Sequence, residues 1–157
     1  MRPPLPRLTA VLLLLAMTAG CALVDGRSEV GRLLTSWSQA DDQRITTVSI
    51  DGTVVLADDA DRQRFLDRLP DELDRSAVEA ADLDSGFLVL GGYGKCMQRS
   101  RVWMDTDRTA VWFEVYVPRK LEGVNCGWSP FTIDVWLVPR EELRTTPADR
   151  LRNGEPG

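Results

Sequence analysis

The sequence predicts an α+β domain: an N-terminal β-hairpin and helices, then a mostly antiparallel four-strand sheet, with one disulfide. Three observations predict it. Asp51-Gly52 sits between two runs rich in β-branched residues. Asp58, Asp59 and Asp61 open an apolar helical pattern that Pro70 stops. From Phe87 onward the apolar residues follow a period of two or fill short continuous runs.

Taken in order, Val30, Leu33, Leu34 and Trp37 fall at helical spacing, which predicts a short amphipathic helix capped by Ser28. Gln39 to Gln43 is polar and reads as a loop. Ile45 to Ile50 and Thr53 to Leu56 form the arms of the expected hairpin, because Asp-Gly tolerates the positive φ of a tight turn. In the helix that follows, Phe65, Leu66 and Leu69 form the buried stripe. Its acids lie at the positive end of the dipole and Arg64 and Arg68 near the negative end. A second helical stretch runs from Asp71 to about Ala81. Phe87 to Leu90 reads as a strand buried on both faces. The glycines at 91, 92 and 94 then suggest a bulge or tight bend. Gln98 to Met104 and Ala110 to Val117 are strands joined by a turn at Asp105 to Thr109. Pro118 to Ser129 is a long loop, and Phe131 to Val138 is the last strand. The organisation expected is a signal segment at 1–20, a tether at 21–27, one domain at 28–144 and a polar, disordered tail at 145–157.

Composition narrows the function. Apolar residues make up 43% of the chain and charged residues 27%, a globular balance. Without the first twenty residues, which hold Arg2 and Arg7 and no acid, 17 basic face 24 acidic side chains, a formal charge of −7. That charge argues against nucleic-acid binding and against attachment to anionic lipid by charge alone. The absence of histidine removes the commonest general base and metal ligand. No GxSxG, SxxK, phosphate-loop or dinucleotide motif is present. Asp82-Leu83-Asp84-Ser85-Gly86 fails as a calcium loop, since its glycine comes one position early and Tyr93 stands where a bidentate Glu belongs. Asp58, Asp59 and Asp61 read as a helix start rather than a metal site. No catalysis and no cofactor are expected.

The N-terminus carries its own message. Arg2 and Arg7 precede the apolar run Leu8 to Met17, which is shorter than the roughly 20 residues a bilayer span needs. Small residues follow, and Thr18-Ala19-Gly20-Cys21 resembles a lipobox, the processing site of bacterial lipoproteins. That resemblance implies a lipid on Cys21 and a cell-envelope location on the extracytoplasmic face of the membrane. Ordinary secretion with nearby cleavage is the competing reading. With Cys21 acylated, Cys96 and Cys126 remain as an even pair outside the cytoplasm, and a disulfide is the natural outcome.

Strand alternation nominates the candidate site. Trp112, Glu114 and Tyr116 alternate together, as do Arg99, Arg101 and Trp103, and as do Thr132, Asp134 and Trp136. On one four-strand sheet these would share a face. Arginine interleaved with aromatic residues is typical of protein-binding hot spots. The partner-binding set expected is therefore Trp103, Trp112, Trp136, Tyr116, Arg99 and Arg101. A face covered by a helix or loop of the same domain is the competing reading.

Ser129-Pro130-Phe131 leading into a strand that ends at Pro139 resembles the closing strand of PrcB C-terminal-type domains. Asp82-Leu83, Phe87 to Leu90 and Gly91-Gly92-Tyr93 resemble that family's acidic-aromatic step, apolar strand and Gly-Gly-Tyr turn, with Leu83 standing where an aromatic is usual. The chain also resembles small lipoproteins of actinobacteria. The first resemblance implies a binding module for an envelope protein or protease. The leading expectation is thus a lipid-anchored interaction domain for a protein or peptide, attached to the membrane through Cys21. A carrier of a sugar or lipid, lodged between sheet and helix, is second. An envelope hydrolase using carboxylates is third.

Overall fold

The computed structural model describes residues 26–144 and 146–153. The expected signal segment and Cys21 lie outside the described residues. Among the described residues eight strands form two sheets. The strands are β1 (Arg27–Val30), β2 (Arg32–Ser38), β3 (Val54–Leu56), β4 (Gly86–Gly94), β5 (Arg99–Asp105), β6 (Ala110–Tyr116), β7 (Phe131–Pro139) and β8 (Arg152–Asn153). Helices α1 (Asp59–Leu66) and α2 (Ser76–Glu79) lie between β3 and β4. The central sheet has the order β2-β7-β4-β3 and the outer sheet β1-β5-β6-β8. All pairings are antiparallel except the short contact of β8 with the start of β6. The α+β class, the antiparallel strands and the Cys96–Cys126 bridge stand as read from the sequence. The late strands, expected to form one sheet, divide between two.

The molecule is layered: helices, central sheet, outer sheet. Phe65, Leu66 and Leu69 from α1 and its end, with Ile45 and Val78, pack on Trp37, Leu88, Leu90, Ile133 and Val135 of the central sheet. Its other face carries Phe87, Val89 and Val138, which pack on Val30, Val102, Met104 and Val111 of the outer sheet. Both faces of β4 and β7 are therefore buried, which explains their almost unbroken apolar sequences.

Three local expectations are corrected. Residues 28–37 are strands, not a helix. Gly31, at φ +76°, breaks them and hands the chain from the outer to the central sheet. A Cβ there would stand 2.7 Å from the Leu137 carbonyl oxygen, so only glycine fits without movement. A bulge between Leu33 and Thr35 then resets the strand alternation. The apolar residues at 30 and 37 thus serve different cores, and their helical spacing is incidental. The hairpin at 45–56 does not form. Gln43–Thr47 is a 3₁₀ turn capped by Asp42, and the hydroxyls of Thr46 and Thr47 donate to the carbonyls of Gln43 and Arg44. Such local bonds let threonine leave a strand. Gly52 keeps its positive φ of +66°, but Val54–Leu56 pairs with β4 instead. The glycines after Leu90 continue β4 rather than bend it.

The tail from Thr145, expected to be disordered, carries a 3₁₀ turn at Ala148–Arg150 and the strand β8. Ala148 is buried in the core between the sheets, which ties this segment to the domain. The helix at 58–69 begins as expected, with the Asp58 carboxylate accepting the Asp61 N–H at 2.8 Å.

Candidate functional site

In β5, Ser100, Val102 and Met104 point inward and are buried, which turns Arg99, Arg101 and Trp103 outward. The register pairs Arg99 with Tyr116, Arg101 with Glu114, and Trp103 with Trp112. These six residues therefore share the outer face of the outer sheet, and β1 adds Arg27 and Glu29. Helices α1 and α2 pack on the central sheet, on the far side of the molecule.

The centre of the face is Arg101. Its guanidinium carbon lies 4.3 Å from the Tyr116 ring centroid and 4.6 Å from that of Trp103. Arg27 stacks on Trp103 as well, at 5.0 Å. Arg101 Nε and Trp103 Nε1 both donate to Glu114 Oε2. Burial alone would raise the Glu114 pKa. The hydrogen bonds from Arg101 and Trp103, with the charges of Arg101 and Arg27, outweigh it and hold the carboxyl below its ordinary value. The result is an ordered array of cations and aromatic rings that solvent still reaches. Arg99 is exposed, while Arg101, Trp103, Glu114 and Tyr116 are half-buried.

The array holds four of the expected partner-binding residues: Arg99, Arg101, Trp103 and Tyr116. Trp112 shares the face but is only 7% exposed, and its Nε1 has no hydrogen-bond partner among the described residues. Trp136 is not part of it. It belongs to the central sheet and points toward the outer one, its Nε1 donating to Ser100 Oγ at 2.9 Å.

Asp134, expected on the same face, also lies between the sheets, 2% exposed. Its Oδ2 accepts from Ser100 Oγ at 2.6 Å and from the Tyr93 hydroxyl at 2.7 Å. Its Oδ1 accepts from Ser36 Oγ at 2.5 Å and lies 3.6 Å from Lys95 Nζ. Burial, then the Asp134 hydrogen bond and charge, push the Tyr93 pKa well above its ordinary value. Sequence reasoning missed this cluster. The available signal was a lone carboxylate inside Phe131–Pro139, a strand apolar at both parities.

Asp58, Asp59, Asp82 and Asp84 line an open cleft of about 460 Å³ with Arg62 and Arg140. Asp58 caps α1. Asp82 accepts from Ser85 Oγ and the Asp84 N–H, which lowers its pKa, the wrong direction for a general acid. Arg140 donates to the Leu83 and Ala57 carbonyls, and Arg62 to those of Val78, Glu79 and Ala81. These charges serve loop geometry. Among the described residues no group of three acids or cysteines is placed to hold a metal, and no helix is long and apolar enough to cross a membrane. The space between α1 and the central sheet, where a small ligand was expected, is occupied by packed side chains. No protein family, curated protein or solved structure matches the chain.

Proposed function

We propose that this chain is a lipid-tethered interaction domain of the cell envelope, which binds a protein or peptide through the outer face of its outer sheet. The observation that carries the reading is Arg101, held between Trp103 and Tyr116 and paired with Glu114, on a sheet face open to solvent. Arg and Trp dominate binding hot spots, and side chains already locked in place lose little entropy when a partner arrives. The lipobox-like Thr18-Ala19-Gly20-Cys21 supports the address, and the Cys96–Cys126 bridge suits an oxidising compartment. The resemblance to PrcB C-terminal-type domains covers β4 and β7 and supports an envelope protein or protease as the partner.

The test is crosslinking and affinity capture from envelope membranes, using the natively anchored protein and an Arg101→Ala/Trp103→Ala variant. Both side chains lie on the surface, so the variant keeps the buried layers intact. Loss of about 2 kcal/mol at such a centre lowers affinity roughly thirtyfold. The wild type is expected to capture a defined partner and the variant to lose it. Equal capture by both proteins removes this face from the reading. An unmodified residue 21 in protein isolated from cells removes the anchor.

A further inference from the structure

Among the described residues the two sheets have four edges, and three of them are guarded. The strand β1 is four residues long and ends at Gly31, where the chain leaves for the other sheet. In β2 the bulge between Leu33 and Thr35 disrupts the ladder that a further strand would follow. The strand β3 has three residues and is flanked by Ala148 and Leu151. The fourth edge is that of β6. There β8 pairs in parallel, but only with Ala110 and Val111. The Phe113 N–H, next in line, points away from β5 and donates to Thr53 Oγ1 at 2.8 Å. Bonding directions alternate along an antiparallel pair, so the Val115 N–H points the same way. Among the described residues nothing accepts it.

The side chains of this stretch are uncovered as well. Val111 and Phe113 turn toward the central sheet, where Val111 is fully buried and the Phe113 ring lies 6.1 Å from that of Tyr93. Val115 and Val117 continue the same parity, yet they are 39% and 38% exposed and belong to neither core. A strand added beside β6 would bury them. Val117 also lines a shallow groove of about 250 Å³ with Met97, Leu121 and Val124, which prolongs the edge.

We infer that the free edge at 115–117 takes an extended peptide segment of the partner as an added β-strand. Main-chain bonds to Val115 hold its backbone, and its alternate apolar side chains cover Val115 and Val117. The inference rests on the reading of this chain as a protein- or peptide-binding module, and it names the form in which the partner arrives. The other parity of the same strand, Glu114 and Tyr116, belongs to the Arg101 array, so one segment can meet the edge and the face together. A second copy fits this edge less well. It would bring its own Thr53 and its own loop after Val117 against the same short stretch, whereas a lone segment needs only the width of one strand.

The probe is a phage-displayed library of linear peptides of about ten residues, selected on the full chain. Selected peptides are expected to carry apolar residues at alternate positions. Amide exchange supplies the direct readout. In the free protein the Val115 amide is expected to exchange faster than those of Glu114 and Tyr116, which face β5, and bound peptide is expected to slow it about tenfold or more. Val115→Pro removes this outward N–H, a change that an edge position tolerates, and Val115→Lys places a charge on the edge. Each is expected to weaken peptide binding about tenfold with near-native circular dichroism. Arg101→Ala/Trp103→Ala leaves the edge in place and is expected to keep the protection of Val115 at saturating peptide. Peptides that need Arg101 and Trp103, but neither slow Val115 nor respond to its variants, overturn the inference and leave the binding face standing. A library that yields no binder overturns it too. So does protection of Val115 that rises with the concentration of the protein alone, which assigns the edge to a second copy.

Discussion

Asp134 shows how one residue organises the space between the sheets. A carboxylate 2% exposed persists only because three hydroxyls and an ammonium group meet it. Tyr93 is the member whose titration reports on the cluster. Its folded pKa lies above the ordinary value of 10.0, so its contribution to stability is complete below pH 10.0 and is lost as pH rises through the folded pKa. In that range the unfolded chain has ionised the phenol and the folded one has not. Tyr93→Phe removes this term and one hydrogen bond to a buried charge. The variant is expected to be about 1–3 kcal/mol less stable at neutral pH. Denaturant midpoints followed from pH 8 upward should fall less steeply for the variant than for the wild type. Parallel curves would show that Tyr93 does not report the burial of Asp134.

At the scale of elements, legibility followed the number of faces a segment buries. The helix from Asp58 has one wet face and one dry face, and its caps, dipole and stripe were all readable. Strand β5 was also readable, because its burial alternates cleanly, and β6 follows it through the register although Trp112 is buried and Val115 exposed. Four of the proposed contact residues follow from that alternation alone. Trp136 and Asp134 were misplaced because β7 is dry on both sides. Period two says which residues share a face of β7 but not which sheet that face meets. Val30 to Trp37 failed for another reason: one glycine and one bulge change both sheet and parity within a few residues. The glycines of β4 belong to the same class of detail. A Cβ on Gly91 would drive into the Phe113 ring across the sheets, and one on Gly92 would stand 2.7 Å from the Phe131 ring. Gly91 sets the spacing of the two sheets and Gly92 makes room for a side chain of the neighbouring strand, neither of which a local pattern announces. Gly91→Ala is expected to cost about 1–3 kcal/mol by overpacking. Gly127→Ala, which meets nothing within 4 Å, is expected to be nearly neutral. Thermal melts of the two variants check the contrast, and equal stability would mean that the sheets separate freely.

At the scale of the whole molecule, the two cores fix the layers but leave one end without apolar support. Residues 122–129 are all exposed, so the loop that carries Trp128 contributes no side chain to either core. The bridge from Cys96 to Cys126, with a Cα separation of 6.2 Å, is the covalent tie that holds this loop to the β4–β5 connection. It closes a segment with a sequence separation of 30, which in the chain-entropy picture stabilises the fold by roughly 3–4 kcal/mol through the unfolded state. For a domain of this size that is a large share of the total. Cys96→Ser/Cys126→Ser is therefore expected to lower the melting temperature by about 10 °C while leaving near-native circular dichroism below the transition. The effect should divide by region. The Arg101 array lies on paired strands and should keep its geometry, so partner capture survives in the reduced protein at temperatures where it is folded. The loop, by contrast, loses its tie, so the backbone amides of 122–129 should exchange faster at once. Measuring capture and amide exchange against temperature, with and without reductant, separates the two. If capture falls as soon as the loop loosens, well below the melting temperature, the layered scaffold does not isolate one end of the molecule from the other.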